Sequence, residues 1–297
     1  MAKENPSRTI RNSDLKRQSQ PIEHETSLFG NNRKERWPLI ILFFLVTIGS
    51  FVIWSLVGRT VLLEEYTYKV IDRHPHDSTA FTQGLIYRDG IVYESTGKRG
   101  QSKIRKMTLE GRIIDEKSLD DKYFGEGLCE VGDKLYQLTW ESGVGFIWDK
   151  ELNKIDEFKY EGQGWGLTYD GTNLIVSDGT ATLRFLDPKT FKEVRRVLVR
   201  KGEARMPDIN ELEFINGTIF ANVFGDDMIY LISPIDGKVQ GRINFSELLP
   251  WRKRPDQESV MNGIAVHPDK QNTLLVTGKN WPFIYEVQIS KLVDDAN

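Results

Sequence analysis

Five polar or aromatic residues, Gln83, Glu126, Trp165, Asn210 and Asn262, recur at intervals of 43, 39, 45 and 52 residues, and each is followed by Gly or Glu and then by Leu or Ile. Among them are one carboxyl group, able to move protons, and three carboxamides, which donate and accept hydrogen bonds. A second set stands at matching offsets: Gly97, Trp140, Gly179, Phe224 and Lys279. It adds two aromatic faces, one ammonium group and two glycines that would leave space for a ligand. An acid, a cation, carboxamides and an aromatic wall together suit a small amide-bearing ligand. They suit a metal poorly, because His24, His74, His76 and His267 are scattered and His74-Pro75-His76 lacks further obvious ligands. No Walker loop, dinucleotide fingerprint or zinc-protease motif occurs, so neither metal nor cofactor is expected.

Residues this far apart in the chain meet only if the elements carrying them recur. From Tyr66 onward the sequence consists of short β-type runs broken by turn signals every 8 to 12 residues, without sustained helical periodicity. A repeat of 39 to 52 residues is about one four-stranded propeller blade, and five copies imply five blades. Second strands are expected around Tyr93, Tyr136, Ile175, Phe220 and Leu275, and third strands around Ile104, Phe146, Leu183, Ile229 and Ile284. Turns such as Asp187-Pro188 and Asp236-Gly237 lead into fourth strands in four copies. The fifth copy runs out of chain, while an orphan strand, Tyr66 to Ile71, precedes the first; closure by that strand would leave no open edge. First strands of blades lie nearest the axis, which brings the first residue set to one channel mouth. The plainer account is that these polar residues satisfy loop backbone groups and that Trp140 and Phe224 are core.

The remaining sequence frames this unit. Trp37 to Val57 is apolar and uncharged over about twenty residues, the length of a membrane-spanning helix. It exceeds the apolar region of a cleaved signal peptide and follows a long polar segment, so an uncleaved signal anchor is favoured. Arg33, Lys34 and Arg36 before the span place the N-terminus on the cytosolic side. The expected organisation is a disordered cytosolic tail (1–36), a transmembrane anchor (37–57), a linker (58–65), a five-bladed all-β propeller (66–290) and a short tail (291–297). This is a single-pass type II protein of the secretory pathway (ER/Golgi) with a lumenal domain. Two sequons, Asn216-Gly217-Thr218 and Asn244-Phe245-Ser246, are glycosylation candidates that fit such a placement. The single cysteine, Cys129, cannot form an intrachain disulfide and reads as a small core residue. A net charge of -3 with no basic cluster outside the anchor flank argues against a nucleic-acid partner.

Over Tyr66 to Ser290 the sequence resembles the plant-type glutaminyl-peptide cyclotransferases. The strings are F-T-Q-G-L at Phe81 to Leu85, F-G-E-G at Phe124 to Gly127, L-T-W at Leu138 to Trp140, N-E-L-E at Asn210 to Glu213, N-G-I-A at Asn262 to Ala265 and V-T-G-K-N-W-P at Val276 to Pro282. Each is weak alone; in this order at blade spacing they are specific. The resemblance implies a five-bladed propeller that works without zinc on peptides and proteins with N-terminal glutamine. It places Phe81, Gln83, Glu126, Trp140, Trp165, Asn210 and Lys279 on active-site positions. Phe224 stands where the family pattern has tryptophan, which implies a looser aromatic cage or an altered substrate preference.

In such an enzyme the α-amine of an N-terminal glutamine attacks its own γ-carboxamide and ammonia leaves. Glu126 is expected to act as general base and then acid. Lys279 and Asn210 are the candidates to stabilise the oxyanion. Phe81, Gln83, Trp140, Trp165, Phe224 and Asn262 are expected to bind and shape the substrate. The alternative is a non-catalytic lumenal propeller that binds peptides or glycans, since a repeat by itself does not specify chemistry. A metal-dependent propeller hydrolase would need a richer acidic or histidine cluster.

Overall fold

The computed structural model describes residue 41 and residues 63–292, so the expected N-terminal tail and, except for residue 41, the expected membrane anchor lie outside the described residues. Among the described residues from 63 onward the regular elements are strands, apart from a single 3-10 turn at Trp251–Lys253. They form five four-stranded antiparallel blades. Blade 1 is built from Thr82–Arg88, Ile91–Thr96, Lys103–Thr108 and Ile113–Ser118. Blade 2 comprises Gly125–Val131, Lys134–Thr139, Val144–Trp148 and Lys154–Lys159. Blade 3 comprises Leu167–Tyr169, Leu174–Val176, Thr182–Leu186 and Glu193–Leu198. Blade 4 comprises Ile209–Ile215, Thr218–Val223, Met228–Ile232 and Val239–Asn244, preceded by a small hairpin of Arg200–Lys201 with Ala204–Arg205. Blade 5 takes Met261–Val266, Thr273–Gly278 and Phe283–Lys291 from the C-terminal end of the chain.

The fourth strand of blade 5 comes from the other end of the propeller. Glu64–Pro75, longer than the six residues expected, pairs antiparallel with Phe283–Lys291 from Tyr66 opposite Lys291 to Pro75 opposite Phe283. Its first residues also pair in parallel with Gly241–Ile243 of blade 4. The ring is therefore closed by hydrogen bonds between the two ends of the propeller, and the edge that an isolated blade 5 would expose is covered.

Apolar residues explain why the blades stack. The first and second strands are buried almost throughout, because each is covered by a neighbouring blade on both faces, whereas the fourth strands of blades 1 to 3 are mostly exposed. Five core clusters lie at the five blade interfaces. One, containing Leu85, Val92, Ala265, Leu275 and Ile284, joins blade 5 back to blade 1. Cys129 is a free, buried member of the cluster between blades 2 and 3.

The glycine in the repeated motif has a steric cause. First strands touch in cyclic order around the axis, and a Cβ on Gly84 would stand 2.5 Å from the Leu128 amide nitrogen of blade 2. The same atom on Gly127 would lie 2.4 Å from Leu167 N, and on Gly166 2.0 Å from Asn210 O. Only a residue without a side chain admits so close an approach.

Candidate active site

The start of the first strand is irregular in four blades. The register against the second strand shifts between Thr82 and Gly84, Gly125 and Leu128, Ile209 and Leu212, and Met261 and Ile264. Gln83, Glu126, Asn210 and Asn262 occupy these bulges, which re-aim side chains that a regular ladder would alternate. Directly beyond each bulge, a backbone bond ties the two residue sets together. Gly97 N donates to Phe81 O (2.8 Å), Trp140 N to Phe124 O (3.0 Å), Phe224 N to Asp208 O (2.8 Å) and Lys279 N to Val260 O (2.9 Å).

At the centre is a buried relay of side chains. Gln83 Nε2 donates to Glu126 Oε1 (2.9 Å), and Asn262 Nδ2 donates both to Gln83 Oε1 (3.0 Å) and to Thr82 O (2.9 Å). Both Asn262 amide hydrogens are thereby used, and the Gln83 amide is fixed with its nitrogen toward Glu126. Glu126 Oε2, by contrast, is buried with no partner. Burial pushes the Glu126 carboxyl well above the usual carboxylate range, and the charge of Lys279 offsets this only in part.

Lys279 is only 3% exposed, yet its ammonium makes no hydrogen bond or ion pair with the described residues. It lies 4.7 Å from the Phe81 ring centre and 4.9 Å from that of Phe224, a cation between two π faces. Burial brings it down to about 8, against the opposing influence of Glu126 and then Glu258.

The aromatic groups form a rim. Phe81 meets Phe124 edge-on (6.1 Å between centres), Phe124 meets Trp140 (5.6 Å), and Trp165 meets Phe224 (6.4 Å). Gln163 joins the two halves, its Oε1 accepting from Trp140 Nε1 (2.9 Å) and Trp165 Nε1 (3.0 Å). Arg184 braces that loop through the carbonyls of Glu161 and Gln163. Gly97 and Gly179 do not leave ligand space: a Cβ there would lie 2.3 Å from the Phe124 ring and 2.6 Å from the Trp165 ring. Their missing side chains make room for the rim itself.

Gln83, Glu126 and Asn262 are thus linked by hydrogen bonds and Phe81, Lys279 and Phe224 by ring contacts, the two groups coupled through the charges of Glu126 and Lys279, with Trp140 and Trp165 joined to the rings through Phe124 and Gln163. Asn210 stands beside Gly166, its carbonyl accepting from Ser177 Oγ (2.6 Å) and its carboxamide oxygen buried without a partner. Phe124 and Gln163 escaped the sequence reading, although a signal existed. They sit two residues before Glu126 and Trp165, as Phe81 does before Gln83. Glu211, also missed, replaces the motif glycine in blade 4, and its buried carboxyl accepts from Ile264 N (2.9 Å) of blade 5 through Oε2, while Oε1 is buried without a partner. One side chain from blade 4 thus ties its inner strand to that of blade 5. Burial and then Glu213 push it well above the carboxylate range. Of the two sequons, Asn216 is exposed in the first hairpin turn of blade 4, and exposed Asn244 accepts from Ser246 N (2.9 Å). Among the described residues no group of three or more His, Cys, Asp or Glu is placed to hold a metal ion.

Residues 50–289 match the family model described as glutamine cyclotransferase. The chain is 41% identical over 229 residues to the glutaminyl-peptide cyclotransferase of Arabidopsis thaliana, an alignment covering 75% of this chain and 71% of that one. The fold matches the crystal structure of the Myxococcus xanthus glutaminyl cyclase with a TM-score of 0.72 and 34% identity, across 78% of this chain and 100% of the other.

Proposed function

Because the chain belongs to the glutamine cyclotransferase family and is a glutaminyl-peptide cyclotransferase, converting N-terminal glutamine to pyroglutamate, we propose how its own residues carry the reaction. The α-nitrogen of the glutamine bonds to its γ-carbon, the bond from that carbon to the amide nitrogen breaks, and ammonia leaves. A proton must pass from the attacking nitrogen to the departing one.

Glu126 moves that proton. Its Oε1 is held by Gln83, and the unpartnered Oε2 is free to face the substrate. With its carboxyl raised well above the ordinary range, a neutral acid beside a neutral amine holds the same number of protons as a carboxylate beside an ammonium. The upward shift moves Glu126 toward the range of an α-amine, ordinarily about 7.7–8.0, which favours proton exchange between them in general acid–base catalysis. The observation that carries this reading is the buried, unpartnered Oε2 in the electrostatic field of a buried cation without a bond of its own.

Lys279 supplies that cation to the oxygen of the tetrahedral intermediate, assisted by the Asn210 carboxamide. The rim of Phe81, Trp140, Trp165 and Phe224 holds the glutamine folded back on itself, the larger part of the task when nucleophile and electrophile share one residue. Gln83 and Asn262 act from behind Glu126. Mass measurement of a glutamine-initiated peptide should show rapid loss of ammonia with the wild-type protein and little with folded Glu126→Gln; full turnover by that variant removes Glu126 from this role.

Residues 37–57 anchor the enzyme as a single-pass type II protein with its propeller in the lumen of the secretory pathway. The uncharged apolar run, the preceding Arg33, Lys34 and Arg36, and exposed sequons at Asn216 and Asn244 support this reading. Protection of the propeller from added protease in sealed microsomes tests the orientation, and a mobility shift on endoglycosidase treatment tests the sequons.

A further inference from the structure

Two ammonium groups lie against the ring of Phe81. Lys279 Nζ lies 4.7 Å from its ring centre and Lys98 Nζ 4.6 Å, so the two charges are no farther apart than the sum of those distances. Lys279 is buried within the site, whereas Lys98 is half-buried on the loop that follows the second strand of blade 1.

That loop is fixed. Gly97 N donates to Phe81 O, while Lys98 O accepts from Gln101 N (2.9 Å) and Ser102 Oγ (2.8 Å). Lys98 adopts a φ of 79°, a left-handed conformation uncommon for a residue with a side chain. The surrounding bonds hold it there, which keeps the ammonium beside the rim.

The charge of Lys98 is uncompensated by contact: it has no ion pair within 4 Å among the described residues. Its neighbour Arg99, stacked over Trp140 at 5.6 Å, already pairs with Glu141 (2.9 Å). Two acids of the loop before blade 5 bear on the same region. Asp256 feels Lys98, but one of its oxygens already accepts from Ser259 Oγ and Glu258 N. Glu258 is exposed and acts on Lys279.

We propose that Lys98 reads a carboxylate on the second or third residue of the substrate, so that the enzyme favours glutamine-initiated peptides with Asp or Glu there. This rests on the assignment of the reacting glutamine to the site of Glu126 and Lys279. An extended chain advances about 3.5 Å per residue, so one to two residues beyond the glutamine cover the largest separation those two distances allow and reach Lys98.

The test is kcat/KM for peptides carrying Glu, Ala or Lys at residue two (Gln-Glu, Gln-Ala and Gln-Lys) and, in a matched set, at residue three, each followed by a common neutral tail, the ratio being taken at the more responsive position. A half-exposed charge contact is worth up to about a fivefold preference for Glu over Lys at low salt, shrinking as salt is added. Lys98→Ala and Lys98→Gly are expected to bring the ratio to near one, the glycine variant also relieving the left-handed backbone. Lys98→Glu is expected to invert it, and Glu258→Gln, which removes an opposing charge, to enlarge it. A ratio near one in wild type, or an unchanged ratio in the Lys98 variants, overturns the proposal. Turnover of the Gln-Ala peptide by Glu126→Gln is the separate arm: activity at the wild-type level there refutes the site assignment, whatever Lys98 does.

Discussion

Gln83 Nε2 donates to Glu126 Oε1 over 2.9 Å, joining the first strands of blades 1 and 2 at one buried carboxyl. The bond commits one oxygen of Glu126 and leaves the other free, so it sets the direction in which the acid presents its proton. Gln83→Ala is expected to lower kcat about ten- to a hundredfold while the fold survives, and Glu126→Gln to lose most of the general acid–base contribution of about 10²–10⁴. Steady-state kinetics on one neutral peptide compare them. A Gln83→Ala enzyme with raised KM and normal kcat would instead make Gln83 a substrate ligand.

The pH profile follows from Lys279. Held at about 8, it is charged below that value and loses its charge above it. The substrate amine must be neutral, which favours pH above about 8. The two demands cross, so kcat/KM is expected to form a narrow bell centred near pH 8. Lys279→Arg, which stays charged, should shift the alkaline limb upward; an alkaline limb unmoved in an active arginine variant would assign that limb to another group.

Around the axis, stability depends on backbone contact. A Cβ at Gly166 would stand 2.0 Å from Asn210 O, an atom that cannot swing aside. Gly166→Ala is therefore expected to destabilise the propeller by about 3 kcal/mol, at the upper end for overpacking, read as a lower urea midpoint. A loss below about 1 kcal/mol would mean that adjacent inner strands separate freely.

His76 and Glu94, whose side chains are both wholly buried, meet at 3.0 Å behind the site. Burial lowers the His76 pKa, but Glu94 more than reverses this and leaves it above 6.5; Glu94, likewise opposed by burial and favoured by His76, lies below 4.5. The histidine contribution is complete below 6.5 and fades as pH rises through the raised value. The glutamate contribution is complete above 4.5 and fades as pH falls through the lowered one. Stability from this pair is thus full between those two ordinary values. Thermal melts across pH should show an alkaline decline above 6.5 that is missing in His76→Gln. The same decline in both proteins would place it elsewhere.

The repeat of a polar residue, glycine and an aliphatic residue was enough to count five blades, to leave the last one a strand short and to match it with the orphan strand before the first copy. It also brought Gln83, Glu126, Asn210 and Asn262 to one mouth, because equivalent positions of a repeated hydrogen-bonded unit must face a common axis. What it could not supply was the contact between blades. That Gly97 and Gly179 hold rings of Phe124 and Trp165, that Gln163 bridges two tryptophans, and that Glu211 reaches the inner strand of blade 5 all depend on side chains from non-equivalent positions. Periodicity identifies which backbones correspond, whereas rotamers and hydrogen-bond direction are set by whichever neighbours the closed ring brings within reach, and those neighbours exist only once the chain has folded.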